Sequence, residues 1–431
     1  MHRKFSNFQS VAVLLAGLSW AVVSHAQVGS VELVGTARDA SGGVVAGVKV
    51  TLTNADTGYA RTSVTNDEGV FALTSLSAGR YTLEAEASGF KRKKIEDIVL
   101  TVGQRTRLDV DMEIGTVAEV VDVTSSAPLV ETENPTIGGL IESTTILELP
   151  LNGRDFMQLA LLTGGVNEGQ TGGPSSTAPV GAGIPYIGNS YMLDGTNNKE
   201  DARNGVASTP ILDSVREFRV QVGQTSAEYG FAGGVVINAV TKSGTNQFHG
   251  SLWEFLRNKS VDSFPFFRAR NSAGVETKAP LIRNQYGGTL GGPIIKNHTF
   301  FFGSYEALRE RRAPINTTLT RLPTDAERAG DLSAYAAYFK KTIVDPSDNR
   351  SPFPGNVIPA SRIDPISKKI MDAIFPAPNR SGNPLSNFSS LLKSRTDNHS
   401  YLTRLDHRFS DKQQMFGRYN LTNVNITAVR L

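Results

Sequence analysis

Apolar and polar residues alternate along much of this chain, and a period of two predicts β-strands. The alternation is clear at residues 48–52, 81–85 and 108–112, where every second side chain is apolar. Turn residues such as those at 66–69 separate these segments. Short strands with one apolar and one polar face predict a small β-sandwich over residues 27–113.

The pattern becomes mixed between residues 114 and 245. Apolar spacing predicts short helices at residues 141–149 and 156–162. A stretch rich in Gly, Ser, Pro and Thr at 163–190 predicts a mobile loop. Strand character returns in the nearly continuous apolar run at 233–240. The alternation of element types predicts a compact α/β domain.

Residues 246–431 carry longer alternating segments. Residues 401–409 and 415–422 both alternate, and a short polar connection joins them. This pattern is typical of a hairpin in a transmembrane β-barrel, with a periplasmic type of turn. Residues 311–395 are rich in Pro, Asn and Ser and too long for an ordinary connection, which predicts a large surface-facing loop. Further strands are predicted at 248–257, 284–294 and 299–309.

An aromatic cluster lies at the start of the last of these predicted strands. It consists of Phe300, Phe301, Phe302 and Tyr305. Aromatic side chains collect at the two interfaces of a membrane-spanning barrel. The cluster therefore predicts an aromatic girdle.

The N-terminus has the three parts of a secretory signal. Arg3 and Lys4 precede an apolar run at 11–23, and the small residues around His25 follow it. We predict a signal peptide over residues 1–26 with cleavage between Ala26 and Gln27. The alternative is a single transmembrane anchor, but the run is shorter than the roughly 20 residues that a helical span needs.

Composition excludes several kinds of chemistry. The chain has no cysteine, so thiol catalysis, disulfides and thiolate metal sites are excluded. Its six histidines form no metallopeptidase pair, and no Gly-x-Ser-x-Gly motif is present. The net charge of +3 gives no reason to expect nucleic-acid binding. We therefore predict no catalytic residue, no cofactor and no metal site, and we do not expect an enzyme.

The first 113 residues also carry a family resemblance. The stretches at 35–39, 44–50, 65–71 and 76–81, and the ending Gly89-Phe90, resemble the carboxypeptidase regulatory-like domain. That family has a transthyretin-like β-sandwich, and its name implies no peptidase activity. The resemblance also implies a carbohydrate-binding-like fold.

The rest of the chain resembles the Oar-like group of TonB-dependent outer-membrane receptors. The order of these stretches along the chain is distinctive, although each alone would be a weak signal. In the central domain they are residues 149–154, 193–195, 217–220, 227–230 and 241–246, and beyond it residues 248–251, 291–294, 300–306, 323–331 and 358–362. The resemblance implies that residues 114–245 form a plug domain and that residues 246–431 form part of a β-barrel.

Together these expectations describe a mainly β protein. It would contain an N-terminal transthyretin-like β-sandwich in the periplasm, an α/β plug domain, and the first strands of an incomplete transmembrane β-barrel in the outer membrane. A plugged barrel of ~22 strands needs roughly 220 strand residues, more than follow Thr245. We therefore expect a fragment that does not transport anything by itself.

The resemblance also implies partners. They are a TonB-type inner-membrane energising complex, outer-membrane lipid, and a glycan or peptide ligand. Glu119, Val120, Val121, Asp122 and Val123 form a short extended segment. It is either the first plug strand or a TonB-box-like segment that pairs with the energising partner through its backbone. The alternative function is a periplasmic or surface adhesion module that binds carbohydrate or protein, which would not need the hairpin at 401–422.

Overall fold

The computed structural model shows a mainly β protein that divides into two compact units. Its described residues are 31–116, 120–124, 137–169, 178–200, 202, 204–223, 233–269, 275–314, 318–380, 385–390, 393–410 and 413–429. The first unit contains Met1–Leu252, Gly287–Glu306 and Ser400–Thr422. The second contains Trp253–Tyr286, Ala307–His399 and Asn423–Leu431. The predicted signal peptide and its cleavage point at Ala26 and Gln27 lie outside the described residues, as does the stretch at 227–230.

The N-terminal part of the first unit consists of two sheets that share one hydrophobic core. In the first sheet the central strand pairs antiparallel with one neighbour and parallel with two others. Its strands are β1 (Val31–Asp39), β4 (Val70–Leu76), β7 (Arg105–Arg107) and β8 (Val110–Met112). The second sheet has the order β3-β2-β5-β6-β9. Its strands are β2 (Lys49–Asn54), β3 (Ala60–Val64), β5 (Gly79–Glu86), β6 (Arg92–Leu100) and β9 (Val120–Thr124).

The shared core explains why the alternation in this part is so regular. Val50, Leu52 and Leu83 are fully buried, whereas the residues between them are not. Apolar residues from both sheets form a single cluster. A strand with one face against such a core requires an apolar residue at every second position. The predicted strands at 48–52 and 81–85 are confirmed.

The central part of the first unit, which we call the central domain, is built on a second five-stranded sheet, of order β10-β17-β18-β13-β14. Strand β13 runs parallel to β18, and the other pairs are antiparallel. The strands are β10 (Ile137–Glu142), β13 (Ser190–Leu193), β14 (Thr196–Asn197), β17 (Val215–Val222) and β18 (Val235–Thr241). Two small pairs accompany the sheet: β11 (Val166–Gly169) with β12 (Ala178–Gly181), and β15 (Lys199–Glu200) with β16 (Gly205–Val206).

Short helices cover one side of this central sheet. Helix α1 spans Ser143–Glu148, and 3-10 helices span Asn152–Arg154, Phe156–Leu162, Tyr186–Gly188 and Leu212–Ser214. Ile146 and Leu159 are fully buried in the same core as the sheet residues. The Phe156 ring meets the Phe218 ring edge-on, with 5.4 Å between the ring centroids. The apolar spacing that predicted helices here therefore reflects a real packed face.

Two expectations for the central part need correction. The predicted helix at 141–149 begins later, because Ile141 and Glu142 belong to β10 and pair with Phe218 and Glu217. The stretch at 163–190 contains β11, β12 and a 3-10 helix in its described part, so it is not simply a loop. Val166 and Ala178 are buried there and anchor the small hairpin despite its Gly-rich and Pro-rich composition.

Five long strands form a third five-stranded sheet, of order β19-β20-β21-β24-β25, so each strand neighbours the next long strand along the chain. They are β19 (His249–Asn258), β20 (Leu281–Ile295), β21 (Thr299–Arg312), β24 (Lys393–Ser410) and β25 (Gln413–Val429). Each of the predicted strands at 248–257, 284–294 and 299–309 is confirmed and is extended at one or both ends. In the described part of the chain the sheet is open, with β19 and β25 at its edges.

Side-chain contacts fix the direction and the two faces of this sheet. Thr299 contacts His407, and the Tyr305 and Tyr401 rings lie 5.0 Å apart, so β21 and β24 are antiparallel. Leu402 is completely buried, whereas Tyr401 and Leu405 are 42% and 48% exposed. Because successive side chains of a strand point to opposite faces, the even positions of β24 face inward and the odd positions outward.

This alternation corrects the predicted aromatic girdle. Phe300 and Phe302 are buried, while Phe301 and Tyr305 are half-buried on the opposite face. Three consecutive residues of a strand cannot all face lipid. Phe301 and Tyr305 therefore remain on the outward face, and Phe300 and Phe302 do not.

The second unit contains the chain that connects β21 with β24. The expectation of one large loop over 311–395 is corrected, because the long strands extend into it at both ends and the described part between them has helices. They are α2 (Asp325–Arg328), α3 (Ser333–Phe339) and α4 (Pro365–Ile374), with 3-10 helices at Pro354–Asn356 and Ala360–Arg362. Strands β22 (Thr318–Thr320) and β23 (Phe388–Ser390) pair with each other. The buried Asn387 side chain bonds the backbone of Leu322 twice, both at 2.8 Å.

Candidate functional site

The most deeply buried carboxylate of the central sheet is that of Asp194, which is 1% exposed. Asp194 and Gly195 form a two-residue turn between β13 and β14, with φ angles of 50° and 75°. Asp-Gly suits this turn, because both central residues need a positive φ. The carboxylate accepts hydrogen bonds from the backbone N–H of Thr241 at 2.7 Å and from its hydroxyl at 2.8 Å. The turn is thereby fixed to the end of β18.

Two arginines of the long strands reach this carboxylate. Arg404 of β24 lies 3.2 Å from one Asp194 oxygen, and Arg418 of β25 contacts the other. Arg404 also donates to Thr241 Oγ1 at 3.0 Å and pairs with Asp406 at 2.8 Å. The two arginine side chains are only 10% and 17% exposed. We call these four charged residues, Asp194, Arg404, Asp406 and Arg418, the Asp194 cluster.

Strand β25 also forms an uncharged hydrogen bond with the central domain, next to the Asp194 cluster. The Asn420 side-chain amide donates to Ser208 Oγ at 2.6 Å. Asn420 lies two residues after Arg418, on the same face of β25. The inward face of the β24–β25 hairpin therefore carries a row of polar contacts to the central domain.

A second charged cluster joins the central domain to β21. Arg154 contacts Asp213, and its Nε lies 3.5 Å from Glu306 of β21. All three side chains are at most 14% exposed. Arg154 has a φ of 55° directly after Gly153, so a tight turn presents its side chain. We call Arg154, Asp213 and Glu306 the Arg154 cluster.

Burial sets the protonation behaviour of the groups around this second cluster. It raises the pKa of the Asp213 carboxyl, which the positive charges of Arg154 and Lys242 oppose. Burial also lowers the pKa of the Lys242 ammonium, against the attraction of Asp213. A titratable group that is removed from water resists ionisation unless an opposite charge nearby compensates for the lost hydration. Arg154 therefore favours the charged form of Asp213.

A third polar contact links the N-terminal sheets to the central sheet. Glu217 accepts a hydrogen bond from the Val102 N–H at 2.9 Å, and Arg219 donates to the Val102 carbonyl at 3.2 Å. Both side chains are buried. Burial raises the pKa of the Glu217 carboxyl, while the Val102 bond and the nearby Arg216 and Arg219 lower it.

The predicted TonB-box-like segment lies in the N-terminal part, not in the central sheet. Val120, Val121, Asp122 and Val123 belong to β9, which pairs in parallel with β6 from Arg92 to Glu96. The interpretation as the first plug strand is therefore wrong. A short apolar segment does not reveal which sheet it joins, because the pairing is decided by distant residues. Glu119 lies outside the described residues.

Sequence reasoning assigns no role to the residues of the two charged clusters. Arg404 and Arg418 occupy inward positions of strands whose outward positions include the exposed apolar residues Tyr401, Leu405 and Tyr419. Buried arginines at such positions require a carboxylate partner. That requirement was the signal available in the sequence, but it does not name Asp194. Within the described ranges no three His, Asp or Glu side chains are grouped so as to hold a metal ion. No helix in those ranges is long and apolar enough to span a membrane.

Comparison with known families matches two regions of the chain. The outer membrane beta barrel domain matches residues 240–430, and the carboxypeptidase regulatory-like domain matches residues 32–113. The TonB-dependent transporter Oar of Myxococcus xanthus is 29% identical over 328 residues. That match covers 73% of this chain and 30% of the relative, so the chain spans less than a third of the relative's length.

The similarity to solved structures is weaker. The siderophore receptor PirA of Pseudomonas aeruginosa is 13% identical, with a TM-score of 0.32 over 68% of this chain and 43% of the receptor. The outer membrane transporter YddB of Escherichia coli is 11% identical, with a TM-score of 0.34 over 63% of this chain and 32% of the transporter. On the family matches and the curated relative, this chain is an outer-membrane protein that is similar to an Oar-type TonB-dependent transporter, and its regions match the carboxypeptidase regulatory-like domain and the outer membrane beta barrel domain.

Proposed function

We propose that this chain is a component of a TonB-dependent receptor that passes a ligand across the outer membrane. In this proposal the two N-terminal sheets are a transthyretin-like sandwich in the periplasm. The central domain is the plug, and the five long strands are part of the barrel wall. The function needs binding and movement but no covalent chemistry, and the named relative is a transporter. We therefore propose that the protein is not an enzyme.

The observation that carries the proposal is the Asp194 cluster. A domain that only had to stay attached could use apolar packing, which avoids the desolvation cost of buried charges. Buried ion pairs instead hold one geometry and lose much of their strength once water enters. Asp194, Arg404 and Arg418 therefore suit a plug that must be held in one position and then released.

The β24–β25 hairpin favours this function over an adhesion module. Its outward face carries exposed apolar side chains, among them Tyr401, Leu405 and Tyr419. Its inward face carries the arginines that contact the central domain. A water-soluble binding module needs no such apolar outer face, whereas a lipid-facing wall requires it.

The test uses the absence of cysteine in the natural sequence. A Ser208→Cys variant has one thiol, placed where Ser208 contacts Asn420. In cells with an energised inner membrane and a TonB-type partner, we expect faster maleimide labelling of this thiol than in cells treated with a protonophore. Asp67→Cys, in an exposed turn of the N-terminal part, is the control and should label equally in both. Equal labelling of Ser208→Cys in the two conditions would reject energised release of the plug.

We further propose that β9, which includes Val120 to Val123, receives the TonB-type partner on its free edge. Among the described strands β9 is at the end of its sheet, and β6 pairs with one of its edges. A partner strand could add to the other edge through backbone hydrogen bonds. The N-terminal domain would then extend to Thr124 rather than ending at residue 113.

Proline substitutions at adjacent positions test this edge. Successive N–H groups of a strand point to opposite edges, and proline removes the donor. Of Val121→Pro and Asp122→Pro, one therefore affects the β6 edge and the other the free edge. We expect one of the two variants to lose binding of the purified C-terminal domain of the partner while its N-terminal sheets remain folded by circular dichroism. Unchanged binding in both variants would show that the partner does not use β9.

A further inference from the structure

Three arginines surround one carboxylate on the outward face of the long strands. Arg309, Arg311 and Arg395 lie 3.4, 2.9 and 2.6 Å from Asp397. The Asp397 side chain is 12% exposed, whereas the arginines are 34%, 40% and 58% exposed. One carboxylate neutralises one of three guanidinium charges, so the group keeps a positive excess. We call these four residues the outer arginine cluster.

A cavity of about 330 Å³ opens beside this cluster. It is lined by Arg309, Asp397, His399, Asn423, Val424 and Asn425. Guanidinium groups bind phosphate through two parallel hydrogen bonds, and amide groups add further donors. The chemistry of the lining therefore suits a phosphate group better than an apolar ligand or a cation.

Strand positions place the cluster at the edge of an apolar band. On β24, Asp397 and His399 share the outward face with Tyr401 and Leu405, because all four are odd-numbered positions of one strand. That face is apolar at Tyr401 and Leu405 and polar at Asp397 and His399. On β21, Arg309 likewise follows Tyr305 on the outward side. Such a change from aromatic to charged residues is found where hydrocarbon gives way to lipid headgroups.

The connections between strands identify which membrane surface this is. The outward charged residues are close to the long connection between β21 and β24. At the other end of β24, only residues 411–412 separate Ser410 from Gln413. In outer-membrane barrels the short turns are periplasmic and the long loops extracellular. The outer arginine cluster is therefore at the extracellular leaflet.

We infer that the outer arginine cluster and its cavity bind the phosphate-bearing headgroup of a glycolipid in the outer leaflet. Asp397 holds the three guanidinium groups in place, and the excess positive charge attracts the phosphate. The site faces lipid at the level of the headgroups, which favours a lipid-borne phosphate over a soluble one. It shares no residue with the Asp194 and Arg154 clusters.

The test compares binding of the purified chain to nanodiscs that contain bisphosphorylated lipid A or the same lipid without its phosphates. We expect tighter binding to the phosphorylated lipid. The double variant Arg309→Gln/Arg395→Gln removes two positive charges and should weaken that binding roughly 30-fold. Each basic residue near an anionic membrane surface contributes about the same binding free energy, so the two losses multiply. Arg257→Gln/Arg268→Gln is the matched control, because these arginines have similar exposure and lie elsewhere in the second unit.

Two further arms make the result decisive. Arg309→Lys/Arg395→Lys keeps both charges and should retain most of the binding, which separates loss of charge from misfolding. Equal binding of the phosphorylated and dephosphorylated lipids would overturn the inference, as would an equal loss in the control variant. Competition by inorganic phosphate as strong as that by lipid A would assign the site to soluble phosphate and overturn the lipid assignment.

Discussion

Asp194 shows how one residue can serve both local structure and a distant contact. Its backbone forms the β13–β14 turn, and its carboxylate accepts two hydrogen bonds from Thr241. The same carboxylate compensates Arg404 and Arg418. Because all these groups are buried, removing one charge leaves the others without compensation.

The first prediction concerns this carboxylate. Asp194→Asn keeps the shape of the side chain but removes the carboxylate that pairs with both Arg404 and Arg418, while Arg404 keeps its contact with Asp406. We expect the contact to weaken by about 3–5 kcal/mol, as when one partner of a buried ion pair is lost. Hydrogen exchange of residues 190–197 and 235–241 should accelerate accordingly. Asp67→Asn, an exposed turn carboxylate, should change nothing, and unaltered exchange in Asp194→Asn would contradict the assignment.

The second prediction follows from the raised pKa of Glu217. Burial raises this pKa above its ordinary value of 4.5, so the folded chain holds the proton more tightly than the unfolded chain does. The contribution of Glu217 to stability is therefore fully present below pH 4.5 and is lost as the pH rises through the folded-state pKa. Protection of residues 98–107 from hydrogen exchange, corrected for the intrinsic pH dependence, should fall over that range.

Glu217→Gln is the matched variant for this test. Its side chain carries no titratable proton, and its carbonyl oxygen can still accept the hydrogen bond from Val102. The variant should therefore keep constant protection of residues 98–107 across the same pH range. If the wild-type and variant pH profiles coincide, Glu217 is not the group responsible.

At the scale of elements, strand β1 depends on close approach of neighbouring backbone. A Cβ atom at Gly35 would lie 1.9 Å from the Leu108 carbonyl oxygen and 2.6 Å from the Phe71 ring. The carbonyl belongs to a segment bonded to β1 through the Leu108 N–H and Val34, so it cannot move freely. Glycine is needed here because of space rather than because of a positive φ.

The third prediction is that Gly35→Ala destabilises the N-terminal sheets. Inserting a methyl group into such a packed site costs about 1–3 kcal/mol or more. The thermal unfolding midpoint of this part of the chain should fall. Gly417→Ala is the control, because a Cβ on this β25 glycine would meet no atom within 4 Å. Equal midpoints for the two variants would show that the β1 environment relaxes without cost.

The sequence predicts where strands lie but not which strands pair with each other. Alternation located the strands around Val50, Leu83 and Leu402, because each has a single buried face. The same alternation could not place β9 beside β6 or fix the Asp194 partners. Those depend on pairings between segments far apart in the chain, such as Asp194 with Arg418. Gly-rich and Pro-rich composition also concealed the β11–β12 hairpin, whose anchors Val166 and Ala178 are isolated apolar residues.

At the scale of the whole molecule, two separate charged clusters hold the central domain to the long strands. Both meet at the end of β18, where Thr241 bonds Asp194 and the next residue, Lys242, interacts with Asp213. The Arg154 cluster ends on Glu306 of β21, and the Asp194 cluster ends on β24 and β25.

The last prediction is that the two clusters contribute independently to the stability of the contact between the central domain and the long strands. In a Ser208→Cys background, urea should expose the thiol to maleimide at a midpoint that reports release of the central domain. Asp194→Asn and Glu306→Gln should each lower this midpoint. Because the clusters contact different long strands, the free-energy change of the double variant should equal the sum of the single changes to within about 0.3–0.5 kcal/mol. If the double variant has the same urea midpoint as Asp194→Asn alone, only the Asp194 cluster holds the domain. Release of the plug would then require breaking only the contacts that β24 and β25 make with it.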